Sequence, residues 1–109
     1  MKVYNKLVRD KIPEIINQNG ELCEIKTLDK SRYFSELRVK LKEEFNEYLE
    51  AKNDVEAIEE LSDVLEVIHS LSEIHGKGFE DVEKVRQKKF NERGGFKKKI
   101  YLTNVDDRK

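Results

Sequence analysis

Two long amphipathic segments joined by a short turn are the feature that most constrains the fold of this chain. The first runs from about residue 31 to 52, and the second opens with "NDVEA", where Asn53 or Asp54 can cap a helix, and continues to His75. The apolar stripe of the first segment consists of Phe34, Leu37, Leu41, Phe45 and Tyr48. This spacing predicts two long helices that pack antiparallel as a hairpin.

The flanking segments predict two further helices and a weak β pattern. Apolar residues at helical spacing from Val8 to Asn19 predict a short helix, and a fourth should run from Phe79 to about Glu92. Segments 21–28 and 98–103 could pair as a small two-stranded β element. We expect an all-α fold, an antiparallel four-helix-type bundle, as a single domain over residues 1–109.

The composition limits the classes of partner and the compartment. The chain has 22 Lys and Arg against 23 Asp and Glu, so no basic excess indicates nucleic-acid binding. A single cysteine excludes an intramolecular disulfide, and no apolar run is long enough to span a membrane, so we expect a cytoplasmic protein. A helical chain of 109 residues has a small core, which favours a homodimer or homotetramer.

Acidic residues lie where the two long helices should bury apolar side chains. On a helical wheel Glu44 lies between Leu41 and Tyr48, and Glu60 lies within the apolar arc of the second helix. Each is followed three residues later by a flanking acid, Glu47 or Asp63. Because the helices are antiparallel and the two pairs lie at similar distances from the turn, we expect the four carboxylates to converge.

A divalent cation would resolve the repulsion within such a group of carboxylates. Burying several of them without partners costs several kcal/mol. Oxygen ligands without His or Cys indicate Mg²⁺, with Mn²⁺ as an alternative, and Mg²⁺ commonly completes its shell with water and phosphate oxygens. The competing interpretation is that these are surface acids paired with nearby Lys and Arg.

The fourth helix places cations on its apolar face. Arg86, Lys89 and Arg93 share that face with Phe79, Val82, Val85 and Phe90. They could neutralise the acids or bind the oxygens of a phosphate chain. The alternative is that their aliphatic stems cover the core while the charges reach solvent.

Three blocks of sequence resemble a known family. "EEFNE" at 43–47, followed after twelve residues by "ELSD" at 60–63, has the form EExxE…ExxD and resembles the motif of the MazG-like all-α nucleoside triphosphate pyrophosphohydrolases. "YNKLVRDKIPEII" and "RQKKFNERGGF" are similar to a compact branch labelled phosphoribosyl-ATP pyrophosphohydrolase-like. The likeness spans about residues 4–102. It implies a dimer-based helical bundle that uses Mg²⁺ to cleave an α–β phosphoanhydride into a nucleoside monophosphate and pyrophosphate.

The resemblance also implies roles for individual residues. The metal ligands would be Glu44, Glu47, Glu60 and Asp63, whereas Glu43 matches the motif but points outward on the helical wheel. Glu47 is the candidate catalytic base. The candidate substrate-binding residues are Arg86, Lys89, Arg93, Lys6 and Arg9.

Four interpretations of the function remain open at the level of sequence. We expect hydrolysis of an NTP or dNTP in nucleotide-pool cleansing. The alternatives are hydrolysis of phosphoribosyl-ATP and a non-catalytic helical module that binds a nucleotide or a protein. In a purely structural role, the acids and cations would form buried salt bridges.

Overall fold

The computed structural model describes residues 1–107, and these contain four helices and no strand. The helices are α1 (Ile12–Gln18), α2 (Lys30–Leu49), α3 (Asp54–Ile74) and α4 (Phe79–Arg93). The prediction of an all-α fold is therefore confirmed. The predicted bounds of the three longer helices are close to these, and α1 lies within the predicted segment 8–19, with Lys11 at its N-cap position and no side-chain hydrogen bond there.

Local capping explains where the two long helices begin. The carboxylate of Asp29 accepts a hydrogen bond from the Arg32 N–H at 2.8 Å at the start of α2. The side-chain oxygen of Asn53 accepts one from the Glu56 N–H at 2.9 Å and so caps α3. Each bond satisfies an N–H that has no partner within its helix. Of the two predicted caps for α3, Asn53 is the one used.

The helical hairpin forms as predicted, but its core is small. Helix α2 packs on α3, and α4 packs on α3 alone, while α1 packs on no other helix of the described chain. Leu37 and Val67 are the buried apolar residues of the described part. Phe45 and Leu61, which the wheel places on burying faces, are 56% and 45% exposed. One chain therefore leaves much of its apolar surface uncovered.

The β element expected from segments 21–28 and 98–103 is absent from the described residues, and that expectation was wrong. Leu22 is 96% exposed and Tyr101 is 88% exposed, so neither of these side chains is buried against the helices. A two-stranded ribbon without an apolar surface beneath it is marginally stable in water. The β-branched and aromatic composition of these segments is therefore not enough to pair them.

The chain is elongated. Its radius of gyration is 19.1 Å and its extents are 68 × 36 × 23 Å. A compact domain of this length has a radius of gyration of about 13 Å. Among residues 1–107, no helix combines the length and the apolar character needed to cross a bilayer.

Candidate metal centre

Three of the four predicted ligands meet between α2 and α3. One carboxylate oxygen from each of Glu44, Glu47 and Glu60 lies within 4.8 Å of the others. Glu44 and Glu47 are three residues apart and so share one side of α2, and the antiparallel packing of α3 brings Glu60 to the same level. Glu44 is 7% exposed, Glu60 is half-buried and Glu47 is exposed. The group therefore runs from the helix interface out to solvent.

The environment of Glu44 disfavours its charge. Burial raises the pKa of its carboxyl above the ordinary value, and the neighbouring carboxyl group of Glu47 raises it further. The ammonium of Lys40, 3.4 Å from Glu44 Oε1, acts in the opposite direction and does not cancel the rise. Lys40 is not among the residues that the sequence predicts for the site, although its position four residues before Glu44 on the same helix is a usable signal.

Two buried oxygens of the group lack hydrogen-bond partners. Glu44 Oε2 and Glu60 Oε2 are both enclosed and accept no hydrogen bond in the described part of the chain. Buried polar atoms are nearly always satisfied in folded proteins, and leaving one unpaired costs about 1–3 kcal/mol. A hard cation bound by these oxygens would satisfy both. The three carboxylates thus offer a donor set suited to Mg²⁺ or Mn²⁺.

Asp63, the fourth predicted ligand, lies outside the group of three. Its Oδ1 accepts a hydrogen bond from Arg9 Nη2 at 2.8 Å. This ion pair links the segment before α1 to α3, across 54 positions of sequence. Arg9, predicted to bind substrate, is therefore engaged with an acid of the motif. Both side chains are more than a third exposed, so the pair contributes little to stability.

The predicted phosphate-binding cations are not gathered at the acids within one chain. Arg86 forms a bidentate ion pair with Glu83 on its own helix, which raises the pKa of the guanidinium and lowers that of the Glu83 carboxyl. Lys89 lines a groove of about 780 Å³ beside the last turn of α3. Arg93 ends α4, and Lys6 lies 5.5 Å from the ring of Tyr4. Helix α4 contacts α3 alone, and Arg86 and Lys89 line a groove together with Ser72 and His75, near the end of α3 that is far from Glu60, so these two cations lie apart from the acid group.

Glu43, the motif acid that the helical wheel turns outward, is exposed in the structure. Its carboxylate lies 3.8 Å from the ammonium of Lys40, and it is not a member of the group of three. Glu43 is therefore a close neighbour that can serve as a control for Glu44.

Comparison of the chain with family models, with curated proteins and with solved structures yields no match. The resemblance to the MazG-like pyrophosphohydrolases therefore stays a prediction based on the three sequence blocks.

Proposed function

We propose that this protein is a Mg²⁺-dependent nucleoside triphosphate pyrophosphohydrolase, with Mn²⁺ as an alternative cation. It would cleave the α–β phosphoanhydride of an NTP or dNTP to a nucleoside monophosphate and pyrophosphate, in nucleotide-pool cleansing. The observation that carries the proposal is the pair of buried, partnerless oxygens on Glu44 and Glu60, which lie beside Glu47 in a group of three carboxylates. The choice of a nucleotide substrate rests on the sequence resemblance.

The residues of the centre suit hydrolysis. When bound, the cation would offset the negative charge of the phosphate oxygens. Glu44 and Glu60 are the buried ligands, while the exposed Glu47 can accept a proton from a water molecule that attacks phosphorus. The new bond joins the water oxygen to one of the two phosphorus atoms of the α–β bridge. The bond from that phosphorus to the bridging oxygen breaks, and the electron pair leaves on the bridging oxygen of the other product, pyrophosphate or the nucleoside monophosphate. In this scheme Arg86, Lys89 and Arg93 bind phosphate oxygens, with Lys6 and Arg9 as further candidates.

Two other functions remain candidates. Phosphoribosyl-ATP contains the same type of anhydride and would require the same metal chemistry. A non-catalytic nucleotide- or protein-binding module is favoured by one observation, since α4 and its cations do not contact α2 within one chain. For either enzymatic function we propose a cytoplasmic homodimer or homotetramer that binds neither nucleic acid nor membrane.

The test is pyrophosphate release from a panel of canonical and modified NTPs and dNTPs together with phosphoribosyl-ATP, in Mg²⁺, in Mn²⁺ and in EDTA. We expect cation-dependent release that falls at least 100-fold in Glu60→Gln, because losing a residue that only supports a metal ligand already costs about 10–100-fold, and Glu60 is itself a proposed ligand. Glu59→Gln is the matched control, since Glu59 is an exposed neighbour outside the group. Absence of pyrophosphate from every substrate with both cations would exclude the hydrolase.

A further inference from the structure

One cation lies beside the acid group of the candidate metal centre. The ammonium of Lys40 is 3.4 Å from Oε1 of Glu44 and 3.8 Å from Oε2 of Glu43. The side chains of Lys40 and Glu44 are 21% and 9% exposed, whereas those of the Arg9–Asp63 pair are 57% and 37% exposed. Because water and salt screen a partly buried pair less than an exposed one, Lys40 interacts more strongly with Glu44 than a surface lysine would.

The two oxygens of the Glu44 carboxylate have different surroundings. Oε1 faces the ammonium of Lys40, whereas Oε2 is enclosed and accepts no hydrogen bond in the described part of the chain. Oε2 of Glu60, from the facing helix, is enclosed and without a partner in the same way. The ammonium therefore pairs with one oxygen of Glu44 and leaves the other available to a metal ion.

The stability of α2 by itself does not account for this ion pair. At a spacing of four residues, a glutamate that precedes a lysine stabilises a helix better than the reverse order, and here Lys40 comes first. Lys40 also lies one turn after the buried Leu37, so its ammonium is partly withdrawn from water, which costs free energy. The placement of Lys40 is therefore better explained by an effect on the Glu44 carboxylate.

We propose that Lys40 is a positioning residue of the metal centre, which fixes Oε1 of Glu44 and so presents Oε2 to Mg²⁺ or Mn²⁺. The inference rests on the proposed function for the presence of the metal ion, and it is independent of which nucleotide is hydrolysed. Groups that orient a metal ligand contribute about 10–100-fold to metal affinity. Lys40 acts through Glu44 and does not itself contact the metal or the substrate.

The test measures metal affinity directly, by titration calorimetry with Mg²⁺ and with Mn²⁺ in the absence of substrate. Lys40→Met removes the ammonium and keeps an unbranched apolar stem, so contacts of the stem are largely retained. We expect the Kd for Mg²⁺ to rise about 10–100-fold in this variant. Removing a positive charge near a cation site would by itself strengthen binding, so weaker binding identifies the positioning role. Lys40→Arg, which retains the charge, should bind Mg²⁺ more tightly than Lys40→Met.

Two control variants separate this role from a general effect of charge. Lys42→Met removes the same charge from an exposed position of the same helix and should bind Mg²⁺ as the wild type does. Glu43→Gln alters the other carboxylate beside Lys40 and should also retain the affinity. Circular dichroism should show equal helix content in every variant, and Lys40→Gln serves as a second neutral variant if Lys40→Met is partly unfolded.

The outcomes distinguish this inference from the proposed function. Unchanged Mg²⁺ affinity in Lys40→Met would make Lys40 a surface cation, and tighter binding would make it a competitor of the metal; either result overturns the positioning role. A wild type that binds neither cation would overturn the metal centre and the role of Lys40 together. If the wild type binds Mg²⁺ and Lys40→Met binds it more weakly, but no substrate yields pyrophosphate, the hydrolase is wrong and the role of Lys40 stands.

Discussion

At the scale of single residues, Glu44 is held where its charge is unfavourable. Its pKa in the folded chain is raised by burial and by Glu47, so between its unfolded and folded pKa values the folded state binds the extra proton. The contribution of Glu44 to stability is therefore fully present below the unfolded pKa and is lost as pH rises through the folded one. We expect metal-free Glu44→Gln to be more stable than the wild type at pH 7.5, by about 1–3 kcal/mol, and this advantage should shrink at pH 4.

Thermal unfolding in EDTA and in Mg²⁺ measures both consequences of that substitution. Mg²⁺ at about 100 times its Kd should stabilise the wild type by about 2.7 kcal/mol and should not stabilise Glu44→Gln. Glu43→Gln, which alters the exposed neighbour, should retain the response to Mg²⁺. Equal Mg²⁺ stabilisation of wild type and Glu44→Gln would remove Glu44 from the metal site.

Arg9 and Asp63 permit a second test at this scale. The pair is exposed, so Arg9→Ala should lower stability by less than about 1 kcal/mol. If Asp63 becomes a ligand when Mg²⁺ binds, Arg9 competes for its carboxylate, and Arg9→Ala should tighten Mg²⁺ binding while Asp63→Asn weakens it. Titration calorimetry with Mg²⁺ measures both variants. Unchanged Mg²⁺ affinity in both would mean that Asp63 only attaches the N-terminal segment to α3.

At the scale of helices, the turn at Asn53 sets the register of the acid group. Its side chain caps α3, and α3 must begin there for Glu60 to lie level with Glu44 and Glu47. Asn53→Ala should cost about 1 kcal/mol, which is a shift of about 4–8 °C in thermal midpoint for a domain of this size. Asn53→Asp should retain most of the stability because a carboxylate can accept the same bond. Circular dichroism melts compare the three proteins, and an Asn53→Ala midpoint equal to that of the wild type would contradict the role of the cap.

At the scale of the whole molecule, the elongated shape predicts self-association. A chain with a radius of gyration of 19.1 Å that exposes Phe45 and Leu61 should pair with copies of itself. We expect sedimentation equilibrium to give at least twice the chain mass of 12.9 kDa, and the thermal midpoint to rise with protein concentration. Leu61→Lys should shift the equilibrium towards monomer. A monomer at all concentrations would contradict this prediction.

The sequence by itself determined the helices and most of the acid group. Helical periodicity and capping depend on residues a few positions apart, so the hairpin could be predicted, and with it the meeting of Glu44, Glu47 and Glu60. Periodicity and capping involve residues that are close in sequence. The short turn at Asn53 requires the two helices to run antiparallel, so the distances of the acids from the turn determine which of them lie level with each other.

The tertiary structure alone decided the contacts between distant segments. The pairing of Arg9 with Asp63, the exposure of Phe45 and the failure of segments 21–28 and 98–103 to form strands could not be predicted from periodicity. A helical wheel shows which side of a helix is apolar, but not whether another part of the same chain reaches that side. Long-range contacts depend on how the segments are placed in space, and in this chain α4 lies beside the end of α3 and away from α2.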